Sequence, residues 1–432
     1  MPQPLTGTRI VYTPLPAAHF GAGTIGALPA VVRGAGGQAV ALVTDAALAG
    51  TPVVAAAMAA LAAEDLTADV FAGVHPNPTT EDIAAGAEVV AALAAGGTAV
   101  AVVAVGGGSV IDAAKGIALA AVNPQRGRAL DYRGAFARTA LPLVAVPTTA
   151  GTGAETNAFG VVTDAAAGRK FYVGHASTLP AAAILDPDLT VGLPPAGTAA
   201  TGMDALTHAL ESYLSRRANP WADGIALQVM RMVSAHLPRA VADGADREAR
   251  SQMLLAAHLA GAAMASTGLG VCHAIGHSLG SRFGIAHGAA LSVVLPQVLG
   301  FNLAACQDRL ADVAFALGAG DTGAGQARNA EAAIDAVTAL RDRVGMTGTL
   351  VAFGIGPADY AQISADALDD EVLGNTPRMP GAADIAAILT AAQELAADKE
   401  LFCGRCGNDH KRMSWLWQRP QTSRATFVAG VG

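Results

Sequence analysis

Hydrophobic residues in the first 190 positions come in short unbroken runs, of which AVALVTD (39–45), TAVAVVAV (98–105) and LPLVAVP (141–147) are the clearest. A strand that is apolar on both faces needs cover on both faces. Such runs, separated by Ala-rich stretches, therefore predict a doubly wound α/β arrangement with a parallel sheet between helices. After Leu193-Pro194-Pro195 the pattern changes. Segments 198–216, 219–237, 246–267, 327–344 and 382–397 carry helical periodicity, which predicts a nearly all-α second half. The expected organisation is an α/β domain over 1–195, a helical domain over 196–398 and an irregular extension over 399–432.

At 432 residues and 52% hydrophobic content the chain can bury a core large enough for two domains. The net charge of -8, with no basic cluster before residue 405, argues against nucleic acid or an anionic membrane surface as partner, and for a small molecule. The uncharged run Val89–Ile111 is long enough to suggest a membrane span, but Gly96, Gly97 and Gly106 to Gly108 interrupt it. A helix, a turn, a buried strand and a glycine loop fit it better. MPQPLTGTRI has no charged segment before an apolar run, so no signal peptide is expected and the cytoplasm is the expected compartment. Four Cys, with Cys272 and Cys306 isolated, do not make a disulfide framework. Cys403, Cys406 and His410 in the basic, aromatic tail lack a second ligand pair, so an irregular segment is expected there rather than a zinc site.

The strongest chemical signal is in the second half. Asp204 and His208 stand four apart on a predicted helix, hence on one face, and can reach a common point. His273 and His287, from HAIGHSLGSRFGIAHG, would close the shell around one ion. One carboxylate and three imidazoles suit iron or zinc and disfavour calcium or magnesium. The bland alternative is a set of ordinary core and surface histidines.

In the first half, VVAVGGGSVIDAAKGIAL (102–119) reads as strand, glycine turn and helix, a Rossmann-like element. Gly106, Gly107 and Gly108 let the backbone approach a pyrophosphate, and the first N–H groups of the helix face the same anion. A second turn, PTTAGTGAE (147–155), also follows an apolar strand and offers the hydroxyls of Thr148, Thr149 and Thr152. Asp45 has two readings. It can accept hydrogen bonds from the adenosine ribose, which favours NAD over NADP, or it can cap the following helix. Lys170 is either a cofactor-holding cation or a solvated surface lysine.

These motifs resemble those of the iron-containing, or group III, alcohol dehydrogenase family. The resemblance covers residues 9 to 397 and rests on GGGSVIDAAK (106–115), PTTAGTGAE, GMDALTHALESY (202–213) and HAIGHSLGSRFGIAHG (273–288), which occur in the family's order. It implies that Asp204, His208, His273 and His287 bind the metal and that His277 lies beside it, near nicotinamide and substrate. Gly106, Gly107, Ser109, Asp112, Thr148, Thr149, Thr152 and Lys170 match positions that line the dinucleotide, and Asn77 and Leu189 match weaker contacts. Phe159 departs from relatives that carry Asn there, and the extension after 398 has no counterpart.

The resemblance further implies a nucleotide domain and a helical domain with the metal between them, in a homodimer or larger homo-oligomer. The expected activity is NAD(P)-linked hydride transfer between nicotinamide and a small alcohol or aldehyde held by Fe(II), with Zn(II) the next choice. His277 is the candidate for proton exchange with the substrate oxygen, or alternatively orients a ligand. Two rivals share the architecture: a metal-dependent cyclase similar to dehydroquinate synthase, and a catalytically silent scaffold. The first needs more basic residues for a phosphorylated substrate, and the second predicts broken ligands. Maleylacetate-reductase-like members tend to lack the metal-ligand set that is intact here.

Overall fold

A computed structural model describes residues 15–402 apart from 165, 167 and 168. Its strands are β1 (Ala17–Phe20), β2 (Ala39–Asp45), β3 (Thr67–Val74), β4 (Val100–Gly106), β5 (Leu143–Pro147), β6 (Phe159–Asp164), β7 (Arg169–Gly174) and β8 (Ala182–Leu185). Six of them form one parallel sheet in the order β1-β8-β5-β4-β2-β3. The helices of this half are α1 (Leu28–Gly34), α2 (Pro52–Ala62), α3 (Thr80–Leu93) and α4 (Gly108–Ala120).

The unbroken apolar runs have a direct cause. Val40, Leu42, Ala101, Val103 and Val105 pack in one layer with Leu28 and Val32 of α1 and Val54 and Leu61 of α2. Their sequence neighbours Ala41, Val43, Val102 and Ala104 pack in the opposite layer with Ile83 and Val90 of α3 and Val110 and Ile117 of α4. Both faces are dry, so no alternation is possible. A mutual capping box starts α3, with Thr79 Oγ1 accepting from the Asp82 N–H and Asp82 Oδ2 accepting from the Thr79 N–H.

From β2 the chain moves outward to β3, then returns past β2 to β4 and proceeds the other way to β5 and β8. The winding reverses between β2 and β4, so a crevice opens beyond their carboxyl ends, at Asp45 and at Gly106–Gly108. β6 and β7 form a separate antiparallel hairpin whose Val162, Phe171 and Val173 cover α4.

The remaining described helices are α5 (Pro195–Leu214), α6 (Pro220–Ala242), α7 (Arg247–Thr267), α8 (Val271–Phe283), α9 (His287–Asn302), α10 (Gln307–Ala316), α11 (Gln326–Arg343), α12 (Tyr360–Asp369) and α13 (Ala382–Phe402). Their apolar faces share one core cluster. Residues 287–305 are long and apolar enough to cross a membrane, but 72% of that window is buried inside the protein, as in a core helix. Helix α13 continues to Phe402, beyond the expected end near 397. The tail residues Cys403, Cys406, His410, Trp415 and Trp417, and the amino-terminal MPQPLTGTRI, lie outside the described residues. Cys272 and Cys306 are free and buried.

The two halves are pinned by buried polar contacts. Glu155 Oε1 lies 3.0 Å from His258 Nδ1, and Arg250 donates to the Leu193 carbonyl at 2.9 Å.

Candidate metal centre and nucleotide cleft

Helix α5 carries Asp204 and His208 one turn apart, helix α8 carries His273 and His277 one turn apart, and His287 opens α9. Gly284, left-handed at φ 66°, ends α8 and turns the chain toward α9. Gly288 lets the start of α9 approach the Ala200 backbone of α5 where a Cβ would collide, and so brings His287 over Asp204.

Asp204 Oδ1 is the common point. It lies 3.4 Å from His208 Nε2 and 3.6 Å from each of His273 Nε2 and His287 Nε2. Asp204, His208 and His273 form a buried trio with mutual ligand-atom distances within 4.8 Å. His287 completes the ring from the open side, with its side chain 32% exposed. Asp204 Oδ1 and His273 Nε2 are buried without a hydrogen-bond partner. Orphaned donors and acceptors converging on one spot fit a divalent cation better than a polar network closed on itself.

The protonation states favour the same use. Burial pushes the His208 imidazole down to about 4 against the opposing pull of Asp204, and pushes His287 well below its usual value. Both rings are neutral near pH 7 and can offer lone pairs. Burial opposes ionisation of Asp204, yet His208, His287 and His273 hold its carboxyl well below the usual range. His273 is the exception: despite burial, Glu211 and then Asp204 raise it to about 9.

Glu211 carries information that the sequence did not yield. Its Oε2 lies 2.6 Å from His273 Nδ1 and accepts the Gly270 N–H, while Oε1 accepts the Cys272 N–H at 2.7 Å. One carboxylate thus fixes the first turn of α8 and turns His273 Nε2 toward Asp204. Its spacing was a usable signal, because 204, 208 and 211 share one helical face.

The expected nucleotide residues divide into three groups. Asn77, Gly108, Ser109, Asp112, Thr152 and Lys170 line a cleft of about 400 Å³ together with Asp204, His208, His273, His277 and His287. Gly106, Gly107, Thr148 and Thr149 form the adjoining double turn, with Gly107 as the N-cap of α4 and the Thr148 N–H donating to the Gly106 carbonyl. No side chain caps α4, so its first N–H groups remain for an anion. Leu189 is buried in the layer under β2 and β4, and Asp45 ends β2. Asp45 Oδ1 accepts the Ala47 and Leu48 N–H groups of the turn after β2, whereas the N-cap of α2 is Thr51, so Asp45 closes a turn and does not cap the helix.

Lys170 is drawn in from the surface: burial lowers its ammonium against the opposing pull of Asp112 and Asp370. That corrects the solvated-lysine reading. Asn77 adopts a left-handed backbone at φ 56°, a conformation Asn tolerates at a tight turn. Phe159 sits at the cleft, edge-on to Tyr172. The fully buried Lys115 was also missed as an organiser. It donates to the carbonyls of Ala154 and Phe159 and to Asn157 Oδ1, tying α4 to the second turn and the hairpin.

A second, polar chamber of about 800 Å³ abuts the cleft and shares Lys170, Tyr172 and His277 with it. At this boundary His277 Nδ1 lies 2.6 Å from Asp370 Oδ2.

The iron-containing alcohol dehydrogenase family model matches residues 16–187, and the model for the C-terminal part of Fe-containing alcohol dehydrogenases matches residues 198–393. The probable alcohol dehydrogenase EutG of Salmonella typhimurium is 42% identical over 284 residues, covering 66% of this chain and 70% of that protein. An NAD-dependent methanol dehydrogenase of Bacillus methanolicus is 39% identical over 283 residues, 65% of this chain and 74% of its own. The solved structure of a 1,3-propanediol oxidoreductase superposes with TM-score 0.83 at 34% identity, covering 89% of this chain and all (100%) of that one. An alcohol dehydrogenase from Oenococcus oeni gives TM-score 0.85 at 31% identity, with 88% and 100% covered. With both halves matched by the family's models, this chain belongs to the iron-containing alcohol dehydrogenase family.

Proposed function

We propose that this alcohol dehydrogenase interconverts short primary alcohols or diols and their aldehydes with NAD, using a metal held by Asp204, His208, His273 and His287. Fe(II) is the first choice and Zn(II) the second, since the donor set accepts both. The observation that carries the reading is the convergence of three imidazole Nε2 atoms on the orphaned Asp204 Oδ1, within the cleft that also holds Gly108 and Ser109. The methanol and propanediol relatives support small substrates.

The metal supplies Lewis-acid polarisation of the substrate oxygen, and the nicotinamide supplies or accepts the hydride. The chain's own residues bind, orient and exclude water. Gly106 to Ser109 and Thr148 to Thr152 hold the pyrophosphate, while Asp45 serves the ribose beside its role in the turn after β2. Asn77, Asp112, Lys170 and Leu189 complete the dinucleotide site. His277, beside the metal ligands, holds or releases the substrate proton at Nε2. Residues 1–195 work as the nucleotide domain, 196–398 as the metal domain and 399–432 as an extension, in a cytoplasmic homo-oligomer. The cyclase reading loses to the family assignment, and Lys170 and Arg217 are the only cations lining the described cleft.

The test is NADH oxidation with a panel of short aldehydes, after chelation and anaerobic reloading with Fe(II) or Zn(II). Metal-restored turnover is expected. Tight NADH and metal binding with no turnover on any aldehyde would sink the reading.

A further inference from the structure

Helix α8 presents two imidazoles one turn apart, and each has its Nδ1 2.6 Å from a carboxylate: His273 on Glu211 and His277 on Asp370. We propose that Asp370 is a positioning residue for His277, holding its ring with Nε2 turned into the cleft where substrate and nicotinamide meet. The inference rests on the alcohol dehydrogenase reading of that cleft.

Asp370 is itself held from three sides. It caps the short helical turn Glu371–Asn375, where Oδ1 accepts the Val372 N–H at 3.1 Å; the Tyr172 hydroxyl donates to the same oxygen at 3.2 Å, and Oδ2 is left for His277. Burial works against its charge, yet His277, Val372 and Tyr172 keep the carboxyl below the usual range. An ionised carboxylate only accepts, so the hydrogen on this bond belongs to His277 Nδ1, and in the neutral form of the ring the lone pair is on Nε2. Nε2 has no protein partner among the described residues. The ring is further fixed by stacking on His287, with centroids 5.5 Å apart and planes 17° apart. Without Asp370 nothing selects this tautomer, and a flipped ring would offer the wrong nitrogen to the cleft.

The test uses the full-length, Zn(II)-loaded enzyme and the variants Asp370→Ala, Asp370→Asn, Asp370→Glu and His277→Ala, with the Asp370→Ala/His277→Ala pair. For Asp370→Ala, kcat is expected to fall about 10- to 100-fold. Aldehyde KM, NADH affinity and zinc content should hold, and Asp370→Glu should recover part of the loss. In the His277→Ala background the Asp370 substitution should cost nothing further. Histidine-selective 15N spectra should show the Nδ1-protonated tautomer of His277 in the wild type and a mixture in the variant. An undiminished kcat, a loss that persists without His277, or an unchanged tautomer would overturn the proposal. Asp370→Asn retains a cap for Val372 and carries the same comparison if the alanine variant does not fold. A wild type that turns over no aldehyde would sink the enzyme reading, while the tautomer spectra still decide the role of Asp370.

Discussion

Glu211 Oε2 lies 2.6 Å from His273 Nδ1 although 62 residues separate them, and the same carboxylate caps the first turn of the helix that carries His273. Position and chemistry of this imidazole are therefore set by one group. Glu211→Gln keeps the shape but loses the charge, and one of its amide hydrogens would oppose a backbone N–H or the imidazole. Zinc affinity is expected to fall about 10- to 100-fold, as for other groups that orient a metal ligand. Zinc titration of the chelated variant against wild type measures it, and equal affinities would refute the orienting role.

The same contact predicts a pH dependence of the metal-free protein. His273 is raised from 6.5 to about 9 in the folded chain, chiefly because Glu211 and Asp204 outweigh burial. A raised imidazole contributes stability that is fully present below 6.5 and is lost as pH climbs through about 9. Metal binding needs the neutral ring, so zinc affinity should rise over that same window. Thermal melts and zinc titrations of chelated protein at several pH values test both slopes. Glu211→Gln should flatten them, and slopes identical to wild type would exclude this origin.

Asp204 and His208 were legible because a helix converts a four-residue spacing into proximity, and the parallel sheet was legible because strands buried on both faces cannot alternate. The His partners were not. Asp370 reaches His277 across 93 positions and Lys115 reaches Phe159 across 44, pairings that only the tertiary fold creates. The β6–β7 hairpin was missed because Phe159–Asp164 mixes exposed and buried positions and belongs to no continuous apolar run. Asp45 shows a different limit: its bonds are local but close a turn rather than cap α2, whose N-cap is Thr51, and a ribose contact depends on where the crevice opens.

The nucleotide turn and the metal centre draw on different elements, which gives a separable prediction. A Cβ on Gly108 would come within 2.5 Å of Thr152 Cγ2 and 2.8 Å of Thr152 Oγ1, so Gly108→Ala pushes the two phosphate-side turns apart. NADH affinity is expected to drop about tenfold or more, corresponding to the roughly 1–3 kcal/mol typical of overpacking. Zinc content should be unchanged, because Asp204, His208 and His273 lie on α5 and α8. Fluorescence titration with NADH beside metal analysis checks this. Loss of zinc along with NADH would show that the two sites are one structural unit.

Lys115 offers the sharpest test of what holds the cleft together. Its ammonium is fully buried, donates to Ala154, Asn157 and Phe159, and lies 3.7 Å from Asp112 Oδ1. Burial lowers the ammonium and raises Asp112, and each group opposes the shift of the other. Lys115→Met would fill similar volume but take the donor from the Ala154 and Phe159 carbonyls, while Asn157 Oδ1 keeps the Phe159 N–H, and leave Asp112 without its nearest cation. Breaking such a buried pair costs about 3–5 kcal/mol, so a large fall in the urea midpoint is expected. If the charge alone were at issue, adding Asp112→Asn would restore most of the stability; because the carbonyls of Ala154 and Phe159 stay orphaned, only a partial recovery is expected. Full recovery in the double variant would mean that the loop contacts contribute little, and that the ion pair is the whole of Lys115's role.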